Sequence, residues 1–433
     1  MTKSLKFISA ALTLALSVNA GAQSFFSWGF EPQERREEKK VKFAYDAYFD
    51  NKFDNREFDN REFDSGKEQF TESMTLYGAR LTPSVGLKYS QNDNVTHKLM
   101  VGIDIMKEFG RHPSPEAKSS ESARTLDNAR LFREVVMYYG IDANLGEWQV
   151  NGVAGVFPRY FLDGEYSRAF FSDSLKFYDN NLEGLLVKAR SPRAEIELAF
   201  DWNGKYGSYR REQFNVIAYG QYHFTDWLSA GAAFKYHHYA NTEEYGSVVD
   251  DGLFQPFVKF EAGKYLGLQE LSAKLSWYQA IQQDRRSTNG KCNNGGAELA
   301  LGVRKWNVGI ENSLYYGKDL MPFYNYIDDG GYKYGNALYA GAPFYRVHPS
   351  ASDSWGLYDA LEVYYQPHIA DFLDLRLSVV AHFPDNFRFA GTQQKLSLIF
   401  SLDKLLSPSR RAADSGRRHR PKRQQPPREG FML

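Results

Sequence analysis

The feature that most constrains this chain is a long series of segments in which apolar and polar residues alternate. In residues 373–379, Leu or Val alternates with Asp, Arg and Ser, and in residues 299–303 Leu and Val take every second position. A period of two residues is that of a β-strand whose two faces meet different surroundings. Helical periodicity is nearly absent, so the pattern predicts an all-β chain.

The number and spacing of these segments predict how the strands are arranged. Short linkers such as 146–147, 192–193 and 225–226 alternate with long polar ones such as 110–132 and 318–355. Outer-membrane barrels place short turns in the periplasm and long loops outside. We therefore predict a single closed antiparallel transmembrane barrel of about sixteen strands, with fourteen to eighteen as the range. The sixteen segments are residues 42–50, 73–89, 97–109, 133–144, 147–159, 182–190, 194–203, 213–224, 227–239, 253–263, 270–281, 296–305, 306–316, 356–368, 372–384 and 393–402.

The N-terminus indicates export. Lys3 and Lys6 precede a short apolar stretch and the sequence Ala20-Gly21-Ala22, the pattern of a secretory signal peptide. Beyond it we find no run of about 18 apolar residues, which a membrane-spanning helix would need. The sequence thus predicts a signal peptide at 1–22, a periplasmic N-terminal segment at 23–40, the barrel at 41–403 and a basic disordered periplasmic tail at 404–433.

Composition excludes several classes of protein. The 53 Lys and Arg residues balance 53 Asp and Glu residues, so the bulk charge does not indicate a nucleic-acid partner. The single cysteine excludes a disulfide scaffold, and the aromatic content of 16% suits β structure. No His, Cys, Asp or Glu cluster has metal-ligand spacing. We therefore predict no metal site and no cofactor.

Four bulky aromatics mark one end of the predicted barrel. Trp148, Trp227 and Trp306 each open a strand after a short turn, and Phe372 takes the equivalent place in another. We predict that they form an aromatic girdle at the periplasmic interface of the membrane. Packing beneath the turns is the alternative explanation for any one of them.

On these features the chain resembles Gram-negative outer-membrane β-barrel proteins of the general porin type, over about residues 41–403. The units of turn plus Trp, such as 224–231, and the alternating final strand ending at 398–402 carry the resemblance. The resemblance implies insertion by the outer-membrane assembly machinery, contact with outer-membrane lipids and lipopolysaccharide, and passage of small solutes. Porins usually end at an aromatic after the last strand. This chain continues for about thirty residues, which weakens the match to trimeric general porins, and the oligomeric state stays open.

If the apolar face meets lipid, the opposite face lines the lumen, and charges there require water because a basic residue facing lipid costs roughly 2 to 4 kcal/mol. The predicted lumen residues of positive charge are Arg80, Lys88, Lys98, Lys188, Arg190, Lys235, Lys259, Lys274, Arg304 and Arg376. Those of negative charge are Asp104, Glu134, Asp142, Glu195, Glu197, Asp201, Glu261, Glu298, Glu311, Glu362 and Asp374.

Because these signs nearly cancel, we predict a channel for passive diffusion of ions and small polar solutes with weak ion selectivity. A lumen closed by mutual salt bridges is the alternative.

The longest predicted external loop, 321–354, is rich in aromatic residues and glycine. It could fold inward and constrict the pore, offer flat ring faces to a sugar or peptide, or pack on itself over the barrel mouth. Its aromatic residues are Phe323, Tyr324, Tyr326, Tyr332, Tyr334, Tyr339, Phe344 and Tyr345.

Two further segments have unusual composition. The repeat in residues 53–64 carries Asp54, Asn55, Asp59 and Asn60, but interleaved Arg residues and a missing turn glycine argue against a calcium loop, so we interpret it as a duplication in the first loop. Residues 407–433 carry eight Lys or Arg against two acids, a net charge of +6. They could contact anionic headgroups or peptidoglycan acids in the periplasm, or have no partner.

An outer-membrane enzyme, a protease or a lipid hydrolase with its site at the extracellular rim, is the main alternative function. Such an enzyme needs a base beside a nucleophile, or paired carboxylates. The candidates are His237, His238 and His382, with Asp250, Asp251, Asp328 and Asp329 in loops and Cys292 as an inert thiol in an external loop. None forms a known motif, so we predict no catalytic residues and no enzyme. An adhesin or purely structural barrel is a third possibility.

Overall fold

A computed structural model describes residues 41–58, 73–110, 132–205, 207, 211–240, 248–285, 290–324, 326, 334–347, 353–384, 387–402 and 405. The predicted signal peptide, the N-terminal segment and nearly all of the basic tail lie outside these residues. So do Asp59, Asn60, Asp328, Asp329 and Tyr332. The predictions made for them stay predictions.

Seventeen β-strands within the described residues form one sheet. They are β1 (Val41–Phe58), β2 (Met74–Ser90), β3 (Val95–Glu108), β4 (Phe132–Leu145), β5 (Trp148–Pro158), β6 (Asn181–Arg190), β7 (Ala194–Gly204), β8 (Gln213–His223), β9 (Leu228–Ala240), β10 (Val248–Glu261), β11 (Glu270–Asp284), β12 (Lys291–Lys305), β13 (Val308–Gly317), β14 (Gly356–Tyr365), β15 (His368–Ala370), β16 (Leu373–Pro384) and β17 (Gly391–Ser401).

The sheet closes on itself. Phe49 of β1 lies opposite Leu81 of β2 on one side and opposite Phe400 of β17 on the other. β15, a strand of three residues that follows β14, pairs with the first residues of β16, and β14 pairs with the rest of β16. The other sixteen strands form a complete antiparallel ring across the described residues, which leaves no sheet edge to face lipid. The predicted sixteen-stranded barrel and the outer-membrane location are therefore confirmed.

Alternation of side chains separates two faces of the wall. Along β4, Val135, Met137 and Tyr139 are exposed, whereas Val136 and Tyr138 are buried. The exposed residues form the apolar outer surface that meets lipid, and the buried ones point into the barrel. The alternation visible in the sequence thus sets which residues lie inside.

Several strands are longer than predicted. β1 continues to Phe58, so the first copy of the repeat lies in a strand and not in a loop, because Asp54 points inward and accepts a hydrogen bond from Gln393 at 2.7 Å. In the same way β10 begins at Val248 and β12 at Lys291. Asp250, Asp251 and Cys292 therefore lie in strands, which corrects their placement in loops.

The described connections contain three short α-helices: α1 (Asp173–Tyr178), α2 (Gly263–Leu266) and α3 (Gly335–Leu338). Two 3₁₀ turns cover Arg159–Phe161 and Pro343–Tyr345. Among the described residues, no helix is long and apolar enough to cross a membrane.

Candidate functional site

Of the connections that the structure describes, two long ones enter the barrel. We call residues 159–180, between β5 and β6, the first inner segment, and the described residues of 318–347, after β13, the second inner segment. They bind each other through backbone hydrogen bonds, from Ser172 N to Ala340 O at 2.9 Å and from Ala342 N to Arg168 O at 2.7 Å. Glycine is required at 341, because a Cβ there would lie 2.1 Å from the carbonyl oxygen of Ala169. The two segments together bridge the lumen.

Aromatic residues pack these segments against the wall. Phe344 stacks on His382 of β16 with ring centroids 4.5 Å apart, and Tyr345 packs against Tyr315 at 5.3 Å. On the other side of the lumen, Phe161 meets the edge of Tyr138 at 5.5 Å. Of the three possibilities given for the Tyr-rich loop, its described residues thus follow the first: they fold into the barrel. A hydrophobic cluster fills the middle of the barrel.

Charged groups hold the first inner segment in place. Glu362 of β14 accepts a hydrogen bond from Arg168 at 2.7 Å and also binds Arg376 at 3.0 Å and Lys395 at 3.2 Å. Asp163 binds Lys188 of β6 at 2.7 Å. A carboxylate surrounded by cations in this way ties a loop to several strands at once.

Below the aromatic cluster lies a cavity of about 1700 Å³. Ser191, Thr225 and Gly263, which belong to the short turns, line one end, and Arg168, Phe171 and Tyr345 of the inner segments line the other. Because short turns face the periplasm, the cavity opens on that side.

The residues predicted to line the lumen lie on the inner face of their strands, and many form ion pairs there. Arg190 binds Glu195 at 3.2 Å, and Lys259 binds Glu261 at 3.2 Å. Arg80 is buried against Asp104, with Nε 2.7 Å from a carboxylate oxygen. Passage of solutes along these residues stays a prediction. Trp148, Trp227, Trp306 and Phe372 lie at or next to the short turns, and their role as a membrane girdle likewise stays a prediction.

The outer face of the wall carries a different kind of polar cluster, near the extracellular ends of β9, β10 and β11. His238 Nδ1 lies 2.9 Å from Asp250 Oδ1, and Tyr236 donates to the same oxygen at 2.6 Å. Arg285 binds Asp250 Oδ2 through Nη2 at 2.6 Å. We call these four residues the outer-wall cluster. They share the outward side of their strands with exposed apolar residues such as Phe254 and Ile281.

Aromatic rings fix the imidazole of His238. Phe214 of β8 stacks on it with centroids 4.8 Å apart, and Trp202 of β7 stacks on Phe214 at 6.0 Å. The strand register places Trp202, Phe214, His238 and Asp250 in one row across four strands. A histidine held between a carboxylate and an aromatic stack can act as an oriented base, because the carboxylate fixes its tautomer.

The other candidate histidines point inward. His237 is buried, with Nδ1 2.8 Å from Asn215 Oδ1, and His382 is buried between Phe344 and Tyr358. Asp251 also faces the interior, where Gln282 donates to it at 2.6 Å. Within the described residues, no group of His, Cys, Asp and Glu has the geometry of a metal site.

His238 and Asp250 were separate candidates in the sequence, and their pairing appears only in the structure. Tyr236 and Arg285 were not among the candidates. The sequence held a usable signal, because His238 and Asp250 flank a hairpin loop and a strand register would place them opposite each other. That register depends on where β10 begins, and β10 begins at Val248, five residues before its predicted start.

Solved structures with a similar fold include Pseudomonas aeruginosa OccD3 (OpdP), at 11% identity and a TM-score of 0.41, covering 83% of this chain and 91% of that one. They also include a triple mutant of the Rhodopseudomonas blastica porin, at 11% identity and a TM-score of 0.39, covering 83% of this chain and 100% of that one. The Vibrio cholerae outer membrane protein OmpT is similar at 10% identity and a TM-score of 0.48, covering 83% of this chain and 97% of that one. No curated protein matches the sequence.

One family model matches most of the chain. It is described as lipid A 3'-O-deacylase-type and covers residues 35–319, which include β1 to β13 and the whole outer-wall cluster. This match contradicts the prediction that the protein is not an enzyme, because the family is described by an enzymatic activity. The outer-wall cluster does not form a sequence motif, because its residues come from β9, β10 and the position after β11 and are not neighbours in the chain. The chain is an outer-membrane β-barrel that belongs to the lipid A 3'-O-deacylase-type family.

Proposed function

We propose that this protein hydrolyses an ester bond of a lipid in the outer leaflet of the outer membrane, with lipid A as the first substrate to test. The observation that carries the proposal is the His238–Asp250 pair on the lipid-facing side of the wall, at the extracellular end of its strands. A lipid can reach this site without entering the barrel. The family to which the chain belongs supports an acyl ester as the bond that is cleaved.

The site lies where a headgroup meets its acyl chains. His238 is two residues from the end of β9, Asp250 is the third residue of β10, and Arg285 directly follows β11. Trp202, an outward aromatic residue in the same row as His238 and Asp250, is exposed at this end of the barrel. Aromatic residues of this kind mark the membrane–water interface in outer-membrane barrels. The ester bonds of a lipid lie at this level of the bilayer.

His238 acts as the general base. With its proton on Nδ1, the ring donates to Asp250 and leaves Nε2 free to accept a proton from water. The water oxygen then bonds to the ester carbonyl carbon, and the carbonyl electron pair moves onto its oxygen. When this intermediate collapses, the bond to the alcohol oxygen breaks, and the alkoxide takes the proton from His238. The products are one free fatty acid and one alcohol.

The remaining members of the outer-wall cluster keep the base in position. Tyr236 and Arg285 bind the carboxylate of Asp250 and so hold it ionised and facing His238. Asp250 in turn stabilises the imidazolium that forms during the reaction. The side chain of Arg285 is 54% exposed, which also leaves it able to contact an anionic headgroup.

The experiment compares two adjacent histidines. The purified full-length protein is incubated in mixed micelles with lipid A or, separately, with a phospholipid, and released fatty acid is measured by mass spectrometry. We expect H238Q to lower the rate by about 10² to 10⁴-fold, the usual contribution of a general base. H237Q should keep wild-type activity, because His237 points into the barrel. Absence of fatty acid release from either lipid, or full activity of H238Q, would contradict the proposal.

Passive diffusion of small solutes is the second candidate function, favoured by the cavity of about 1700 Å³ that opens toward the periplasm. In a planar bilayer we expect low conductance for the wild type, because the inner segments cross the lumen above that cavity. Deleting residues 324–345 should raise the conductance. Stable insertion with no conductance before and after the deletion would reject a channel.

A further inference from the structure

The cavity inside the barrel contains a group of cations that the hydrolase proposal does not use. Lys52 of β1, Arg168 and Lys176 of the first inner segment and Lys395 of β17 all line it. They come from separate parts of the chain and meet at the inner end of the cavity, where α1 lies against the wall. Cations gathered in this way repel one another unless anions lie among them.

Shared partners show how closely these cations gather. Lys52 Nζ donates to the backbone oxygen of Asp173 at 2.5 Å, and Lys395 Nζ lies 3.6 Å from the carboxylate of the same residue. Lys395 and Arg168 both reach one oxygen, Oε2 of Glu362, at 3.2 and 2.7 Å. Lys176 is three residues after Asp173 on α1 and so lies on the same side of that helix.

The acids nearby do not balance these cations. Asp173 and Glu362 lie among them, and Asp50 adds a third carboxylate two residues before Lys52 on the same face of β1. Four cations thus face three carboxylates. Lys176 is the cation left over: its ammonium makes no hydrogen bond or ion pair within the described part of the chain, and it is exposed to the cavity.

The electrostatic surroundings of Lys176 agree with this picture. Its position deep inside the barrel and the repulsion from Arg168, Lys52 and Lys395 outweigh attraction to Asp173, so the pKa of Lys176 is lowered. A bound anion would relieve that repulsion. Ammonium and guanidinium groups gathered in a water-filled lumen are the usual means by which barrels and channels hold phosphate and other anions.

We propose that the inner end of this cavity is a binding site for a soluble phosphate-bearing solute that enters from the periplasm, held by Lys176 together with Lys52, Arg168 and Lys395. The aromatic cluster closes the site on the extracellular side, and the wall separates it from lipid. The ligand is therefore a soluble compound and not a lipid headgroup. The site is independent of the outer-wall cluster, which lies on the opposite face of the barrel wall.

The test uses inorganic phosphate as the probe. Isothermal titration calorimetry of the full-length protein in detergent, at pH 7.5 and constant ionic strength set with chloride, should give saturable binding at one site. We expect K176Q to weaken the affinity by about tenfold or more, because it removes a charged hydrogen-bond donor. K264Q is the matched control: Lys264 lines the mouth of the same cavity but is paired with Asp226 at 2.7 Å.

The expected control result is unchanged affinity in K264Q. If K176Q fails to fold, the thermal unfolding of the wild type serves instead, and phosphate should raise its midpoint while chloride at equal ionic strength does not. Absence of saturable binding together with no rise of the midpoint would overturn the proposal. Equal weakening in K176Q and K264Q would also overturn it, since it would mean that phosphate responds only to the net charge of the cavity.

Discussion

Asp250 on the outer face of the wall and Glu362 on the inner face each bind three side chains, but the partners are of different kinds. Asp250, outside, is held by Tyr236, His238 and Arg285. Glu362, inside, is held by cations alone, Arg168, Arg376 and Lys395. The difference lies in the chemistry of the partners: one partner of Asp250 is a histidine, whose imidazole can accept and release a proton, whereas all three partners of Glu362 are Arg or Lys side chains.

This difference separates a reactive site from a structural one. Glu362 is 4% exposed and joins β14 to β16, β17 and the first inner segment, so its loss should affect the fold. Asp250 lies at the rim, where its loss should affect proton transfer far more than stability. The number of contacts that a carboxylate makes therefore does not indicate its function. The chemical nature of its partners and the face of the wall on which it lies indicate whether it is reactive or structural.

The largest expected effect is on the outer face. D250N removes the charge that fixes the tautomer of His238 and stabilises its imidazolium, so lipid hydrolysis should fall by about 10² to 10⁴-fold. D251N is the control on the inner face of the same strand and should keep the activity. The measurement is fatty acid release from mixed micelles. Equal losses of activity in D250N and D251N would mean that hydrolysis does not depend specifically on the carboxylate of the outer face.

On the inner face, E362Q should destabilise the folded barrel by about 3 kcal/mol, because three cations lose their carboxylate in a largely buried place. E311Q is the matched control. Glu311 binds the same Arg376 at 2.9 Å but is 39% exposed, so its loss should cost less than about 1 kcal/mol. Guanidinium unfolding in lipid vesicles measures both. If E362Q instead abolished hydrolysis without loss of stability, Glu362 would act in the reaction, and the division into a structural Glu362 and a reactive Asp250 would be wrong.

A smaller effect is expected where the second inner segment meets the wall. Tyr345 donates to Glu298 at 2.7 Å in a buried contact, so Y345F should cost about 1.5 to 2 kcal/mol of unfolding free energy. Y316F, on the outer face of β13, should change little, because Tyr316 is 53% exposed. The same unfolding assay applies. No difference between the two variants would show that the segment is not anchored by this bond.

The smallest effect concerns pH. Burial inside the barrel would raise the pKa of Asp173, but Lys395, Arg168 and Lys52 hold it well below the ordinary value of 3.8. A lowered pKa means that the ionised group stabilises the fold at pH values above that ordinary value, and that this contribution is lost as the pH falls below it. The wild type should therefore unfold at a higher temperature than D173N from pH 5 to 8. A gap that stayed constant down to pH 2.5 would contradict this assignment.

Much of the fold could be predicted from sequence, because alternation is a local property. Residues 373–379 alternate whatever the rest of the chain does, and the polar turns between strands are equally local. The predictions failed at strand ends where polar residues continue a strand beside the lumen. Asp54 looked like a loop residue, yet Gln393 on β17 supplies its hydrogen bond. A sequence window around Asp54 does not contain that partner.

The sequence by itself determined the closed barrel, the face taken by residues of the strongly alternating segments and the end at which the long loops lie, since all three follow from period and spacing. Only the tertiary structure decided that the inner segments fill the lumen, because Tyr345 is held by Tyr278, Tyr315 and Tyr358 from three strands. It also decided that His238 meets Asp250 and not Asp251. A shift of one residue in strand register moves a side chain to the other face of the wall, and pairing across the whole sheet sets that register.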